Sequence, residues 1–111
     1  MIKKNNAKFV DFLGCELKYL KQWLEFNFID SMSWDNYGIL WHIDHIIPCD
    51  YYKNKSIEEK YSCWNWKNLA PLEAKANASK ANKINITLIE YYKNRVFEYL
   101  KIYGEGSESI R

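Results

Sequence analysis

Trp41-His42-Ile43-Asp44-His45-Ile46-Ile47-Pro48 is a short apolar run with three ionisable side chains set into it. Ile43, Ile46 and Ile47 suit a buried strand or its exit. Asp44 and His45 are adjacent, so an extended backbone points them to opposite sides. That arrangement allows a carboxylate to meet a cation while an imidazole meets a water beside it. Pro48 ends any regular ladder.

Outward from this strand, the 111 residues allow one domain with a modest core. Aromatic residues make up 17% of the chain and apolar residues nearly half, which argues against disorder except at the ends. No apolar run approaches the roughly 20 residues needed to span a bilayer. The start, Met1-Ile2-Lys3-Lys4-Asn5-Asn6, lacks the apolar core of a signal peptide, so an intracellular, non-secreted protein is expected. The three cysteines, Cys15, Cys49 and Cys63, include no CxxC pair. They argue against a disulfide framework and a four-cysteine structural zinc site, and the compartment reads as reducing. Cys49 and Cys63 flank the excursion between the two strands, where buried thiols are the default reading and two thiols facing each other the alternative.

The net charge of +2 is uninformative, but its distribution is not. Residues 31–52 carry Asp35, Asp44 and Asp50 with no lysine or arginine, giving −3. Residues 53–83 carry seven lysines against Glu58, Glu59 and Glu73, giving +4. An acidic pocket beside a basic segment fits a metal site next to a phosphate-binding surface, and a solvated lysine face is the plainer alternative.

The flanking pattern is helical. Residues 7–29 form an N-terminal helical part: Ala7 to Leu13 reads as a short helix stopped by Gly14, and Glu16 to Phe28 as a longer one. Leu17, Leu20, Leu24 and Phe28 are the expected inward stripe, with Trp23 beside it. Asp30 to Gly38 is rich in turn residues. Ser56-Ile57-Glu58-Glu59 starts a helix with a capping box, running to about Trp64. Tyr61, Trp64 and Trp66 read as a satellite core, with base stacking as the alternative. Lys67 to Ala70 reads as a second strand, and Pro71 and Leu72 as the opening of a helix from Glu73 to about Asn82. Asn85 is placed to cap a last helix, Ile86 to Tyr103, stopped by Gly104. Its expected inward residues are Ile89, Tyr92, Val96, Tyr99, Leu100 and Tyr103, and residues 104–111 are expected to be a disordered tail.

Asp44-His45-Ile46-Ile47-Pro48 is followed by Asn68-Leu69-Ala70-Pro71-Leu72 and then by Asn77-Ala78-Ser79-Lys80. This order resembles the HNH nuclease family. Leu13-Gly14-Cys15, Met32-Ser33-Trp34-Asp35-Asn36-Tyr37-Gly38 and Trp41 to Pro48 further resemble a subgroup of it found in phages and large DNA viruses. The resemblance covers roughly residues 9 to 83. At Ala70 and Glu73 the chain departs from the subgroup, which often carries Gln and a bulkier apolar residue there.

The resemblance implies an α+β fold: a ββα-metal core over residues 39–83, a hairpin plus a helix, flanked by the N-terminal helices and by the C-terminal helix 85–103. The implied activity is metal-dependent DNA endonuclease, of homing or viral type, nicking or cutting double-stranded DNA. A catalytically inactive nucleic-acid-binding module on the same fold is the alternative.

Phosphodiester hydrolysis needs a base for the water, a Lewis acid for the phosphate and neutralisation of the leaving oxygen. Neutral His45 suits the base role if a hydrogen bond at its far nitrogen fixes the tautomer. Asp44 suits a hard Mg²⁺ or Mn²⁺ ion. By resemblance, Asn68 orients the loop carrying the base and Asn77 is the second metal ligand. One carboxylate plus one amide favours Mg²⁺ over tightly held Zn²⁺. Lys80, one helical turn from Asn77, is placed for a phosphate, with Lys67, Lys75 and Lys83 as further DNA contacts. His42 shares a strand face with Asp44, as a phosphate contact, a further ligand or a packed histidine. Glu73, four before Asn77, reads as a helix-start carboxylate. So small a unit has little surface for a long site, and specificity calls for a homodimer, a partner protein or contacts from the terminal helices.

Overall fold

A computed structural model describes residues 10–52, 56–75 and 83–105. It is a mixed α+β arrangement of helices around a two-stranded antiparallel hairpin. The elements in order are α1 (Leu17–Phe26), β1 (Trp41–His45), α2 (Ile57–Trp64), β2 (Leu69–Glu73) and α3 (Ile86–Tyr103). A short helical turn at 10–13 precedes α1, and 3-10 turns lie at Trp34–Asn36, Cys49–Tyr52 and Trp66–Asn68.

The helix at 10–13 stops at Gly14, whose N–H bonds the Val10 carbonyl at a φ of +73°. A Cβ at this position would lie 2.7 Å from the side-chain nitrogen of Asn65, which can move aside, so it is the left-handed backbone that calls for glycine. The α1 helix is rotated from the expected stripe. Tyr19, Leu20, Trp23 and Leu24 are buried, whereas Leu17 is 50% exposed, and Phe28 lies beyond the helix end. The reason is that the inward face is chosen by aromatics with polar tips. Trp23 donates its indole N–H to the Leu69 carbonyl at 2.7 Å, and Tyr19 donates its hydroxyl to the Gly104 carbonyl at 2.6 Å.

Tyr99 on α3 is fully buried against Tyr19, Trp23 and Trp66, and donates to the Tyr19 carbonyl at 3.0 Å. Arg95 reaches the C-terminal end of α1, donating to the Phe26 carbonyl at 2.6 Å and the Asn27 side-chain oxygen at 2.9 Å. A cation there satisfies a carbonyl the helix leaves open and meets the negative end of its dipole. Asn85 caps α3 through the Leu88 N–H, and Gly104 ends it at a φ of +73°. Tyr103, expected inward, is 47% exposed. Trp66 belongs to this main core rather than to a satellite, while Tyr61 and Trp64 are exposed.

A second aromatic group forms around Trp41. Phe28, Trp34 and Tyr37 pack on its ring, and its indole N–H bonds the Ser33 carbonyl at 2.7 Å. The 30–38 turn is thereby folded onto the start of β1.

In the hairpin, Trp41 pairs with Glu73, Ile43 with Pro71, Asp44 with Ala70 and His45 with Leu69. The bonds Ala74 N–H to Leu40 O and Ile46 N–H to Asn68 O, at the two ends, set its phase. They put Ile43 and Pro71 at a non-hydrogen-bonded pair, so Pro71 fits without removing a ladder bond. This corrects the expected helix start. Pro71, Leu72 and Glu73 are strand, and helical backbone begins at Ala74. Glu73 is therefore the last strand residue opposite Trp41 and directly precedes the helical backbone, so it keeps its place at a helix start. The rest of the expected 73–82 helix, with Asn77 and Lys80, lies outside the described residues, as does most of the expected tail.

Candidate active site

The candidate site forms where β1 leaves the hairpin. Strand alternation puts His42 and Asp44 on one side of β1 and His45 on the other, and all three are half-buried. After His45 the chain turns through buried Ile46 and Pro48 into the Cys49–Tyr52 turn. The excursion then returns through α2. Ser56 caps that helix, its hydroxyl accepting from the Glu59 N–H while the Glu59 carboxylate accepts from the Ser56 N–H. The last turn of α2 presents Cys63 and Trp64 to His45.

His45 is held on several sides. Its Nδ1 lies 2.9 Å from the Cys63 carbonyl oxygen. A carbonyl only accepts, so Nδ1 carries the hydrogen, and in neutral imidazole the lone pair is then on Nε2. The exposed Trp64 ring stands edge-on to the imidazole with centroids 4.6 Å apart. The sulfur of Cys49 lies 3.5 Å from Nε2 and 3.6 Å from Nδ1.

Asn68 is buried and fully engaged. Its side-chain oxygen accepts from the Ile47 N–H at 2.8 Å, and its amide donates to the Ile47 carbonyl and to the Cys63 carbonyl, both at 3.0 Å. One side chain therefore fastens the segment after His45 to the end of α2. It shares with His45 the same Cys63 oxygen.

Cys49 and Cys63 form a disulfide, with Cα atoms 5.5 Å apart. This corrects the expectation of unpaired thiols at these positions. The reason is tertiary: the 3-10 turn after Pro48 and the C-terminal turn of α2 are brought together by the hairpin and by Asn68. Cys15 is the one free cysteine among the described residues and is buried. The sequence signal available for the pair was their position, flanking the excursion between the two strands.

Asp44 pairs with Ala70 in the hairpin, and His42 with Leu72. Lys67 is exposed, its ammonium 5.8 Å from the Trp66 ring centre, and Lys75 and Lys83 are also exposed. Lys67 and Lys93 are among the residues lining an apolar groove of about 390 Å³ between Ile46, Asn68 and the α3 residues Tyr92 and Val96. Burial, and then the neighbouring Tyr51 and Glu59, push the Tyr52 phenol above its ordinary value of 10.0. Among the described residues, Asp44, His45, Asn68, Lys67, Lys75, Lys83 and His42 are thus located, and Asn77 and Lys80 are not.

The arrangement is a small mixed α+β fold carrying an oriented imidazole at the end of a strand. No family model matches the chain, and no solved structure matches it. It is 40% identical over 96 residues to "Uncharacterized protein L426" of Acanthamoeba polyphaga mimivirus, covering 86% of this chain and 42% of that protein. It is 32% identical over 104 residues to "Uncharacterized protein L246" of the same virus, covering 94% of this chain and 46% of that protein. The chain thus spans less than half the length of the curated relatives it matches. No helix among the described residues is long and apolar enough to cross a membrane.

Proposed function

We propose that this chain is a metal-dependent endonuclease unit of HNH type, acting on DNA inside a virus-infected or bacterial cell. The observation that carries the reading is the tautomer lock on His45: Nδ1 is committed to the Cys63 carbonyl, and the Nε2 lone pair remains for a water proton. The roles expected of Asn68 and His45 by resemblance agree with this geometry. Asn68 holds Ile47 and Cys63, the two backbone segments that orient the imidazole.

Asp44 offers a half-buried carboxylate on the strand face opposite His45, a hard oxygen donor of the kind Mg²⁺ or Mn²⁺ takes. When bound, such an ion supplies Lewis-acid stabilisation of the charge on phosphate and leaving oxygen. His45 orients and deprotonates the water, and Asn68 keeps the loop from relaxing. Asn77 is the further ligand expected from the sequence. The hairpin followed by helical backbone at Ala74 is compatible with a ββα-metal core. Exposed Lys67, Lys75 and Lys83 lie in the basic segment and are assigned to the phosphate backbone.

The test is a supercoiled-plasmid nicking assay with Mg²⁺, Mn²⁺ or EDTA, run beside His45→Ala. Metal-dependent relaxation that the variant lacks is the expected result. DNA binding without cleavage under any divalent ion would instead support the inactive binding module.

A further inference from the structure

Two atoms have no part in that hydrolytic reading: the sulfurs of Cys49 and Cys63, which flank the Nδ1 edge of His45. The sulfurs of Cys49 and Cys63 lie 3.6 and 3.7 Å from His45 Nδ1, and a ligand atom from each residue falls within 4.8 Å of the others. Tetrahedral Zn²⁺, with bonds of about 2.3 Å to sulfur and about 2.0–2.1 Å to nitrogen, sets sulfur and nitrogen about 3.6 Å apart. Both sulfur–nitrogen edges therefore have about the right length, but the Cys49 sulfur is as near Nε2, at 3.5 Å, so the imidazole must turn to aim Nδ1 at the ion. The sulfur–sulfur edge is too short, because it is a covalent bond, and in a zinc site it would open to about 3.8 Å.

We propose that the dithiol form of this chain binds one Zn²⁺ through Cys49, Cys63 and His45 Nδ1. A small dithiol is the reductant. It gives up two electrons and two protons and closes to a cyclic disulfide, and the Cys49–Cys63 bond becomes two thiols. Zn²⁺ then displaces one proton from each thiol to solvent and takes both thiolates. The ligand set is two soft sulfurs and one imidazole, a combination that selects Zn²⁺ over Mg²⁺. Three protein ligands leave the fourth position to water.

Metal at Nδ1 breaks the bond to the Cys63 carbonyl and moves the ring's single proton to Nε2. The nitrogen that carries the lone pair in the disulfide form becomes an N–H. Zinc thereby silences the base by exchanging its tautomer; this consequence rests on the nuclease reading, whereas the metal site does not.

The experiment is a Co²⁺ titration of the whole chain, followed by Zn²⁺, in the reduced and the disulfide forms. Reduced protein is expected to take up one equivalent, with thiolate-to-cobalt charge transfer and tetrahedral d–d absorption that Zn²⁺ abolishes. The disulfide form, folded and identical in sequence, is expected to show neither. Cys49→Ser and Cys63→Ser should lose the charge-transfer band in part and bind more weakly. His45→Ala should shift the d–d bands and weaken binding, and Cys15→Ala should leave uptake intact. No stoichiometric uptake by reduced protein that circular dichroism shows to be folded would overturn the site. So would an unchanged spectrum and affinity in His45→Ala, or loss of uptake in Cys15→Ala. Plasmid cleavage is read separately. Absence of cleavage in every form counts against the nuclease reading alone, and equal cleavage with and without zinc refutes the tautomer exchange.

Discussion

His45 Nδ1 and the Cys63 carbonyl oxygen, 2.9 Å apart, join the end of the first strand to the last turn of the excursion helix. The contact fixes which imidazole nitrogen can accept a proton. It is supported by a second donor, Asn68, on the same oxygen. Replacing His45 by alanine is expected to lower cleavage by about 10²–10⁴-fold, the usual contribution of a positioned base. Single-turnover plasmid nicking measures it, with retained Mg²⁺-dependent DNA binding as the sign that the fold survives. Full activity in the variant would remove His45 from the mechanism.

Asn68 is expected to show a dual effect. Asn68→Ala leaves the Ile47 N–H without its partner and removes one donor each from the Ile47 and Cys63 carbonyls. Buried groups left unpaired cost about 1–3 kcal/mol each, and the Cys63 carbonyl keeps His45, so a loss of about 2–6 kcal/mol is expected in urea denaturation. Cleavage measured well below the unfolding transition should also fall, because the segment carrying His45 is released. A variant that is destabilised but fully active when folded would make Asn68 purely structural.

The exposed lysines make a different kind of prediction. If Lys67, Lys75 and Lys83 each neutralise a phosphate, the slope of log affinity against log salt should fall by about 0.9 for each one replaced by alanine. Affinity should drop alike for unrelated DNA sequences, since phosphate contacts carry no base information. Fluorescence anisotropy with a labelled duplex over a salt series measures both. An unchanged slope in the triple variant would return these lysines to the plain solvated face.

Much of this fold is legible in the chain because its signals are local. The Ser56–Glu59 box, the Asn85 cap and the Gly14 and Gly104 stops each act within one helical turn, and each appears in the structure. The strand Trp41–His45 is likewise legible from its short apolar run and from Pro48. What escapes is decided by tertiary partners. The α1 face turns on Tyr19 and Trp23, whose polar tips find distant carbonyls at Gly104 and Leu69, and a stripe of leucines does not show this. Pro71 suggests a helix start, but pair phase, which depends on the other strand, makes it a strand residue. The bond between Cys49 and Cys63 needs the whole excursion to close. Resemblance and residue chemistry single out Asn68 and His45 as candidates, yet the oxygen they share belongs to Cys63, and no side-chain motif marks a backbone carbonyl.

Arg95 should be among the most sensitive positions away from the site. It is half-buried, its guanidinium lies 4.2 Å from the Phe26 ring centre, and it holds the Phe26 carbonyl and the Asn27 amide oxygen. Hydrogen bonds from a charged donor contribute about 1.5–3 kcal/mol. Arg95→Ala should cost at least that by chemical denaturation. Arg95→Lys should recover only part, since an ammonium cannot reproduce the planar fork or its stacking. Full recovery by lysine would mean that charge at the helix end, rather than geometry, is what α1 requires.

Stability should decline on the alkaline side for a reason built into the core. Burial pushes the Cys15 thiol from 9.0 up to about 12 and the Tyr92 phenol from 10.0 up to about 12, and raises Tyr99 as well. In the unfolded chain these groups ionise at their ordinary values, while the native state keeps their protons. Above pH 9.0 the native state therefore binds more protons than the unfolded state, and unfolding free energy falls as pH rises towards about 12. Well below pH 9.0, where the unfolded thiol and phenols keep their protons too, these groups contribute no slope. The urea midpoint should thus drop between about pH 8 and about pH 10.5, with less of a drop in Cys15→Ala and in Tyr92→Phe, each compared with its own value at about pH 8. If both substitutions leave the alkaline slope unchanged, proton release from these two buried groups is not what limits the fold at high pH.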